Sequence, residues 1–214
     1  MPKKSKDLVI FGTGETARMA YEYFTHDSPY RVSAFTVEKK CIHTKRMLDV
    51  PILPFETIAA TYSPKRYDMF IAISYTDGNR LRAKFFTNAK KKGYRLASYV
   101  SSHAFTWPTA TIGDNCFILE NNVIQHGVTI GDDVTLWSGN HIGHQVTIKD
   151  HVFISSHCVV SGYCRIGAYS FLGVNSTYND HIVIAPHTTI GSGAVVIRNT
   201  QKGKTYVGNP AKSL

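Results

Sequence analysis

From Ile112 onward an aliphatic residue recurs every six positions. The series runs Ile112, Ile118, Ile124, Ile130, Leu136, Ile142, Ile148, Ile154, Val160, Ile166 and Leu172, then skips Tyr178 and resumes with Ile184, Ile190 and Val196. Fourteen of the fifteen positions in this frame are aliphatic. The residue two before each is mostly small or β-branched, as in Ala110, Cys116, Asn122, Val128 and Val134, through to Thr188 and Ala194. Glycine follows the aliphatic at Gly113, Gly131, Gly143, Gly167, Gly173 and Gly191, which suits a corner where the chain bends and φ turns positive. A β-sandwich would alternate and turn every ~8–12 residues; it would not hold a six-residue frame over 85 residues. A hexapeptide period is the mark of a parallel β-helix. Three hexads make one triangular coil, with each aliphatic pointing inward onto its equivalent in the next coil. Fifteen hexads give about five coils, a prism roughly 24 Å tall at a strand spacing of ~4.8 Å. Tyr178 interrupts the column and is expected to mark a bulge or an outward turn.

The first hundred residues follow a different pattern. Asp7–Phe11 is an apolar run that ends at Gly12-Thr13-Gly14-Glu15-Thr16-Ala17 and leads into a helical pattern over Glu15–Phe24. Strand, glycine turn and helix in that order give a GxGxxA turn its meaning. The first glycine allows a tight bend, the second lets a ligand approach the backbone, and the helix start offers free N–H groups to an anion. Further strands are predicted at Arg31–Val37, Pro51–Leu53, Asp68–Ser74 and Arg95–Val100, with helices at Phe55–Tyr62 and Gly78–Lys92. This alternation predicts a small, mostly parallel, doubly wound α/β domain over 1–101, followed by an all-β domain over 102–214. The glycine turn reads as a site for a nucleotide diphosphate or nucleotide sugar. A nicotinamide dinucleotide and a purely structural turn are the alternatives, and Glu38 is the only acidic residue near the expected ribose position.

Composition narrows the picture only a little. The net charge of +9 allows nucleic acid, an anionic membrane surface or small phosphorylated ligands. No nucleic-acid motif accompanies it, however, and the run Lys90-Lys91-Lys92 falls at a predicted helix end, where cations suit the dipole. No apolar run approaches the roughly 20 residues of a membrane span. The basic start Met1-Pro2-Lys3-Lys4-Ser5-Lys6 leads into too few apolar residues for a signal peptide, so a cytoplasmic protein is expected. Cys41, Cys116, Cys158 and Cys164 form no CxxC pair and no zinc spacing; they read as small buried packing residues. The ten histidines show no tight ligand spacing, so no metal is expected.

A small α/β domain ahead of a hexapeptide β-helix, with Phe11-Gly12-Thr13-Gly14, Ser74-Tyr75, Ser138-Gly139-Asn140-His141-Ile142-Gly143-His144 and Val207-Gly208-Asn209-Pro210-Ala211-Lys212, resembles one family over nearly the whole chain. It is the bacterial sugar acetyltransferases with a Rossmann-like N-terminal domain and a left-handed β-helix. They include the UDP-4-amino-sugar N-acetyltransferase of protein glycosylation, perosamine N-acetyltransferases and sialic-acid O-acetyltransferase. The resemblance implies a homotrimer with acetyl-CoA lying along the prism between subunits, and a nucleotide bound on the N-terminal domain by Gly12, Thr13, Gly14, Ser74 and Tyr75. It places the catalytic base on His144 and the backbone N–H that holds the acetyl carbonyl on Gly162. It puts the CoA near Gly162 and the tail residues Lys202, Lys204, Asn209, Pro210 and Lys212; the lysines could equally form a solvated basic tail.

The residue arithmetic agrees at one point. His144 and Gly162 are one 18-residue coil apart, so they stack on one edge of the prism. Acetyl transfer needs a base for the proton of the attacking amine or hydroxyl and a donor for the carbonyl oxygen. A neutral histidine suits the first role and a backbone N–H the second. Two departures from the family pattern stand out. Some relatives carry Glu directly after the histidine, where this chain has Gln145, which cannot stabilise an imidazolium by charge. Some also carry a small polar residue seven before it, where this chain has Trp137, which either contacts the sugar or packs between subunits. The expected activity is acetyl-CoA-dependent N-acetylation of a nucleotide-linked amino sugar for a bacterial surface glycan such as lipopolysaccharide. O-acetylation of a free sugar such as sialic acid and a non-catalytic scaffold are the alternatives.

Overall fold

The computed structural model describes residues 4–214; the first three residues of the basic start lie outside it. By internal contacts the chain divides into two compact units, one reaching to Thr76 and including Leu81–Tyr99, the other formed by Asp77–Arg80 and Val100–Leu214.

The first unit is built on a five-stranded sheet. Its elements in chain order are β1 (Lys6–Phe11), α1 (Glu15–His26), β2 (Tyr30–Val37), β3 (Arg46–Met47), β4 (Val50–Pro54), α2 (Ile58–Thr61), β5 (Tyr67–Ile71) and α3 (Arg80–Lys91). The strand order is β3-β4-β2-β1-β5. All pairings are parallel except β3 with β4, a hairpin absent from the sequence reading. Leu8, Val9, Ile10 and Phe11 are buried in succession, the continuous apolar run expected of a strand covered on both faces. α1 buries Ala17, Ala20 and Phe24, spaced at one helical face. The expected helix at Phe55–Tyr62 shrinks to Ile58–Thr61, because Thr57 is bonded to Pro54 in a turn. The strand expected to reach Ser74 stops at Ile71. The strand expected over Arg95–Val100 reduces to a single bridge, Met69 to Leu96, and the short Tyr99–Val100.

The second unit is a parallel β-helix whose strands are two residues long and pair with the strand 18 residues later. On one face Ile118, Leu136, Ile154, Leu172 and Ile190 stand in register. The second face stacks Ile124, Ile142, Val160, Tyr178 and Val196, and the third Ile130, Ile148, Ile166 and Ile184. These residues form one buried cluster with the smaller series two positions before them, among them Cys116, Cys158 and Cys164. Cys41 departs from the expectation of burial; it lies exposed in the first unit as the last residue of the short 3₁₀ turn Lys39–Cys41. The last coil is covered by Thr205–Val207 and the antiparallel Lys212–Ser213, which shields an open sheet edge.

Two expectations about the coil need correction. Tyr178 makes neither a bulge nor an outward turn: it pairs in register with Val160 and Val196 and is fully buried. Room for its ring comes from the small residues Cys158, Ser176 and Ala194 of the neighbouring column, and its hydroxyl pairs with Ser176 Oγ at 2.9 Å. The glycines after the aliphatics do not supply positive φ. A Cβ on Gly167 or Gly173 would lie 2.5–2.6 Å from a backbone nitrogen of the next coil, so these glycines allow close approach between coils. Positive φ falls two residues later, at every sixth position from Asn115 to Gly193, in eleven non-glycine residues. There the left-handed conformation turns the N–H onto the preceding coil, as in Gln145 N–H to His126 O (3.0 Å) and Tyr163 N–H to His144 O (2.9 Å). Such a bond offsets a conformational cost of roughly 1–2 kcal/mol per residue.

The Tyr178 environment generates a stability prediction. Tyr178→Phe should cost about 0.5–1.5 kcal/mol by removing one hydrogen bond while Ser176 keeps its bond to Gly173 O. Tyr178→Ala should cost about 3–5 kcal/mol through the cavity it leaves. Urea unfolding of the two variants beside the parent checks the ordering.

Candidate active site

The corner between the second and third faces carries residues 125–127, 143–145 and 161–163 in successive coils. His144 is half-buried there, and its ring lies directly against Gly162. A Cβ on Gly162 would sit 2.6 Å from His144 Cε1 and 2.7 Å from Nε2. The coil before supplies His126, stacked on His144 with centroids 5.6 Å apart and planes 18° apart. The coil after supplies Tyr163, edge-to-face with His144 at 5.0 Å and 86°. The His144 backbone is fixed by its N–H donating to Gln125 Oε1 at 2.9 Å and its carbonyl accepting from Tyr163.

Two groups at this corner keep free hydrogen-bonding capacity. Among the described residues none accepts the Gly162 N–H, and none bonds either ring nitrogen of His144. Gly143 lies behind the first of these, since a Cβ there would be 2.8 Å from the Gly162 nitrogen. A main-chain donor and an imidazole thus stand side by side, both uncommitted. Gln145 contributes nothing to the imidazole; its side chain lies over Gly127, one coil earlier. Buried thiols are not candidates for a covalent step. Burial pushes Cys164 up to about 11 and raises Cys158 as well, and the thiolate is the nucleophilic form.

Other residues singled out in the sequence lie elsewhere. Trp137 is half-buried at the corner between the first and second faces, its ring 6.4 Å from Phe153, so within one chain it does not join His144. Lys202, Lys204, Asn209, Pro210 and Lys212 are exposed around the strands that cover the last coil. Among the described residues no group of three or more His, Cys, Asp or Glu could hold a metal, and no helix is long and apolar enough to cross a membrane.

In the first unit the glycine turn opens a cavity of about 350 Å³ at the carboxyl ends of β1, β2 and β5, which includes Gly12, Thr13, Gly14, Glu38, Ser74 and Phe85 in its lining. Gly12 has φ +128°, and a Cβ there would meet Ala72 O at 2.6 Å, so only glycine fits. Gly14 caps α1 with nothing within 4 Å of a Cβ, its space open to the cavity. Ser74 is exposed in the lining, whereas Tyr75 does not line this cavity. A second cavity of about 400 Å³ shares Thr13 and Cys41 with the first and adds Arg18, His43 and Arg46. None of these three was singled out in the sequence; the dense basic run from Lys39 to Arg46 is a signal for His43 and Arg46, and Arg18 carries none. The charges divide cleanly, with the carboxylates of Glu15 and Glu38 around the first cavity and the cations around the second.

The packing at the corner predicts that Gly162→Ala displaces the His144 ring. The variant should be less stable by about 1–3 kcal/mol, measured by denaturant unfolding, and should move the His144 Cε1–H resonance.

Comparison with known proteins fits this arrangement. Residues 109–142 and 130–162 match the bacterial transferase hexapeptide family, described as six repeats. The acetyltransferase domain of PglB from Neisseria gonorrhoeae is similar over 98% of this chain and 100% of its own, with a TM-score of 0.85 and 24% identity. A mutant of perosamine N-acetyltransferase from Caulobacter crescentus, solved with CoA and GDP-perosamine, is similar over 97% of this chain and 96% of its own, at TM-score 0.86 and 23% identity. WeeI from Acinetobacter baumannii matches 98% of this chain and 100% of its own, at TM-score 0.82 and 19% identity. The chain therefore shares the fold of these proteins across its length, and residues 109–162 of its second unit match the hexapeptide repeats of bacterial transferases.

Proposed function

We propose that this protein transfers an acetyl group from acetyl-CoA to the amine of a nucleotide-linked sugar. The observation that carries the reading is the juxtaposition of a free Gly162 N–H with the His144 imidazole. In the proposed reaction the sugar amine attacks the thioester carbonyl carbon and the C–S bond breaks to release CoA thiol. His144 takes the proton that the amine loses, the role a neutral imidazole fills near neutral pH, and gives it to the departing sulfur so that CoA leaves as thiol. The Gly162 N–H donates to the carbonyl oxygen as negative charge builds there. The rigid corner holds donor and base together, so neither must be ordered during the reaction.

In this reading the first unit is a Rossmann-like, doubly wound domain over 1–101 that holds the nucleotide at Gly12, Thr13, Gly14, Ser74 and Tyr75. The second, 102–214, coils left-handedly. Three copies associate so that acetyl-CoA lies between subunits, with Gly162, Lys202, Lys204, Asn209, Pro210 and Lys212 along its path and Trp137 near the sugar. Among the similar proteins, a perosamine N-acetyltransferase holds CoA and GDP-perosamine and the PglB acetyltransferase domain holds acetyl coenzyme A, which supports the substrate class. The product would serve bacterial surface glycan synthesis in the cytoplasm.

The test is thiol release from acetyl-CoA against UDP-, dTDP- and GDP-linked amino sugars. One acceptor should be turned over, and His144→Asn should lower kcat by about 10²–10⁴ with that acceptor. Activity confined to a free sugar hydroxyl would replace the reading with O-acetylation. Silence with every acceptor, or full activity in the variant, would remove it.

A further inference from the structure

The imidazole of His144 has no hydrogen-bonded partner among the described residues to set its orientation, and Gln145 is turned away onto Gly127. Its ring is instead held by contacts on three sides: His126 stacked from the coil before, the Gly162 Cα, and Tyr163 edge-to-face. Tyr163 is itself locked. Its φ is +60°, its N–H donates to the His144 carbonyl, and its ring stacks on His181 with centroids 4.8 Å apart and planes 2° apart. Packing onto the prism does not require this side chain, since it is 49% exposed. The left-handed position it occupies recurs in every hexad, and at this corner it places the ring where it reaches the imidazole.

We propose that Tyr163 is a positioning residue for His144, its ring taking over the orienting role that a hydrogen-bonded carboxylate would otherwise fill. The inference rests on the reading of His144 as the base. An edge-to-face aromatic contact constrains the imidazole plane without donating or accepting a hydrogen bond. Both ring nitrogens therefore stay free, one to take the acceptor's proton. The Tyr163 hydroxyl has no part in this, so the ring alone should matter.

The experiment compares Tyr163→Asn with Tyr163→Phe. Asparagine tolerates the left-handed conformation and retains the N–H bond to His144, so the first variant removes the ring and leaves the coil intact. Tyr163→Asn should lower kcat about ten- to a hundredfold with KM for acetyl-CoA unchanged. It should also remove the ring-current shift of the His144 Cε1–H resonance in a histidine-labelled sample. Tyr163→Phe should restore both. Unchanged kcat and an unmoved resonance in Tyr163→Asn would overturn the proposal, as would a kcat loss of equal size in Tyr163→Phe. A parent protein silent with every acceptor overturns the acetyl-transfer reading instead, and the resonance then decides by itself whether Tyr163 holds the ring.

Discussion

In the second unit each two-residue strand pairs in parallel with the strand 18 residues later, and the N–H and C=O groups of one coil are spent on the next. That ladder sets everything else about the unit. A shift of one residue would turn every inward aliphatic outward, so the hexad frame and the backbone register enforce each other. It also converts sequence distance into spatial column. Residues 18 apart stack at the same point of the triangle, and a site can be assembled from successive coils without any loop to place it. His126, His144 and Gly162 are such a column.

The same register sorts the histidines. His151, His157, His181 and His187 all occupy the left-handed position of their corners. Their N–H groups bond the preceding coil, and histidine is one of the residues enriched in that conformation. His151 also bonds Asp133, a fully buried carboxylate, at 2.8 Å. These residues have a structural occupation. His126 and His144 sit one position earlier, where φ is not left-handed, and of these two only His144 faces a glycine across the gap. The number of histidines therefore says little about the site, and their place in the hexad says a great deal.

The β-helix was legible because its signal is redundant: fourteen aliphatics agree on one frame, and a single exception such as Tyr178 cannot break it. What Tyr178 itself does was not legible, because room for its ring depends on Cys158 and Ala194, residues 16–20 positions away. The glycines were noticed for the wrong reason. Those at 113, 143, 167 and 173 are required by neighbouring backbone, a three-dimensional fact, whereas the positive φ lies in a column of mixed Asn, Asp, Gly, Gln, His and Tyr with no compositional unity. In the first unit the glycine turn was readable from its strand and helix context. The β3–β4 hairpin and its arginine were not, since β3 is a single two-residue strand that no repeat accompanies.

A site made from one side chain and one main-chain N–H is encoded in an uneven way. The imidazole is written at a single position, but no residue choice at 162 creates or deletes the amide hydrogen, short of proline. The sequence controls that donor through what surrounds it. Gly162 must lack a Cβ to admit the His144 ring, and Gly143 must lack one to leave the Gly162 nitrogen in place. The two glycines are thus as much a part of the proposed chemistry as the histidine, although neither brings a functional group. The same logic explains why Gln145 is tolerable at a position where some related sequences carry an acid. With the ring of Tyr163 set edge-to-face against the imidazole from the following coil, the proposed base need not take its orientation from the residue beside it. The side chain at 145 is then free to fill the space above Gly127, which is where it lies.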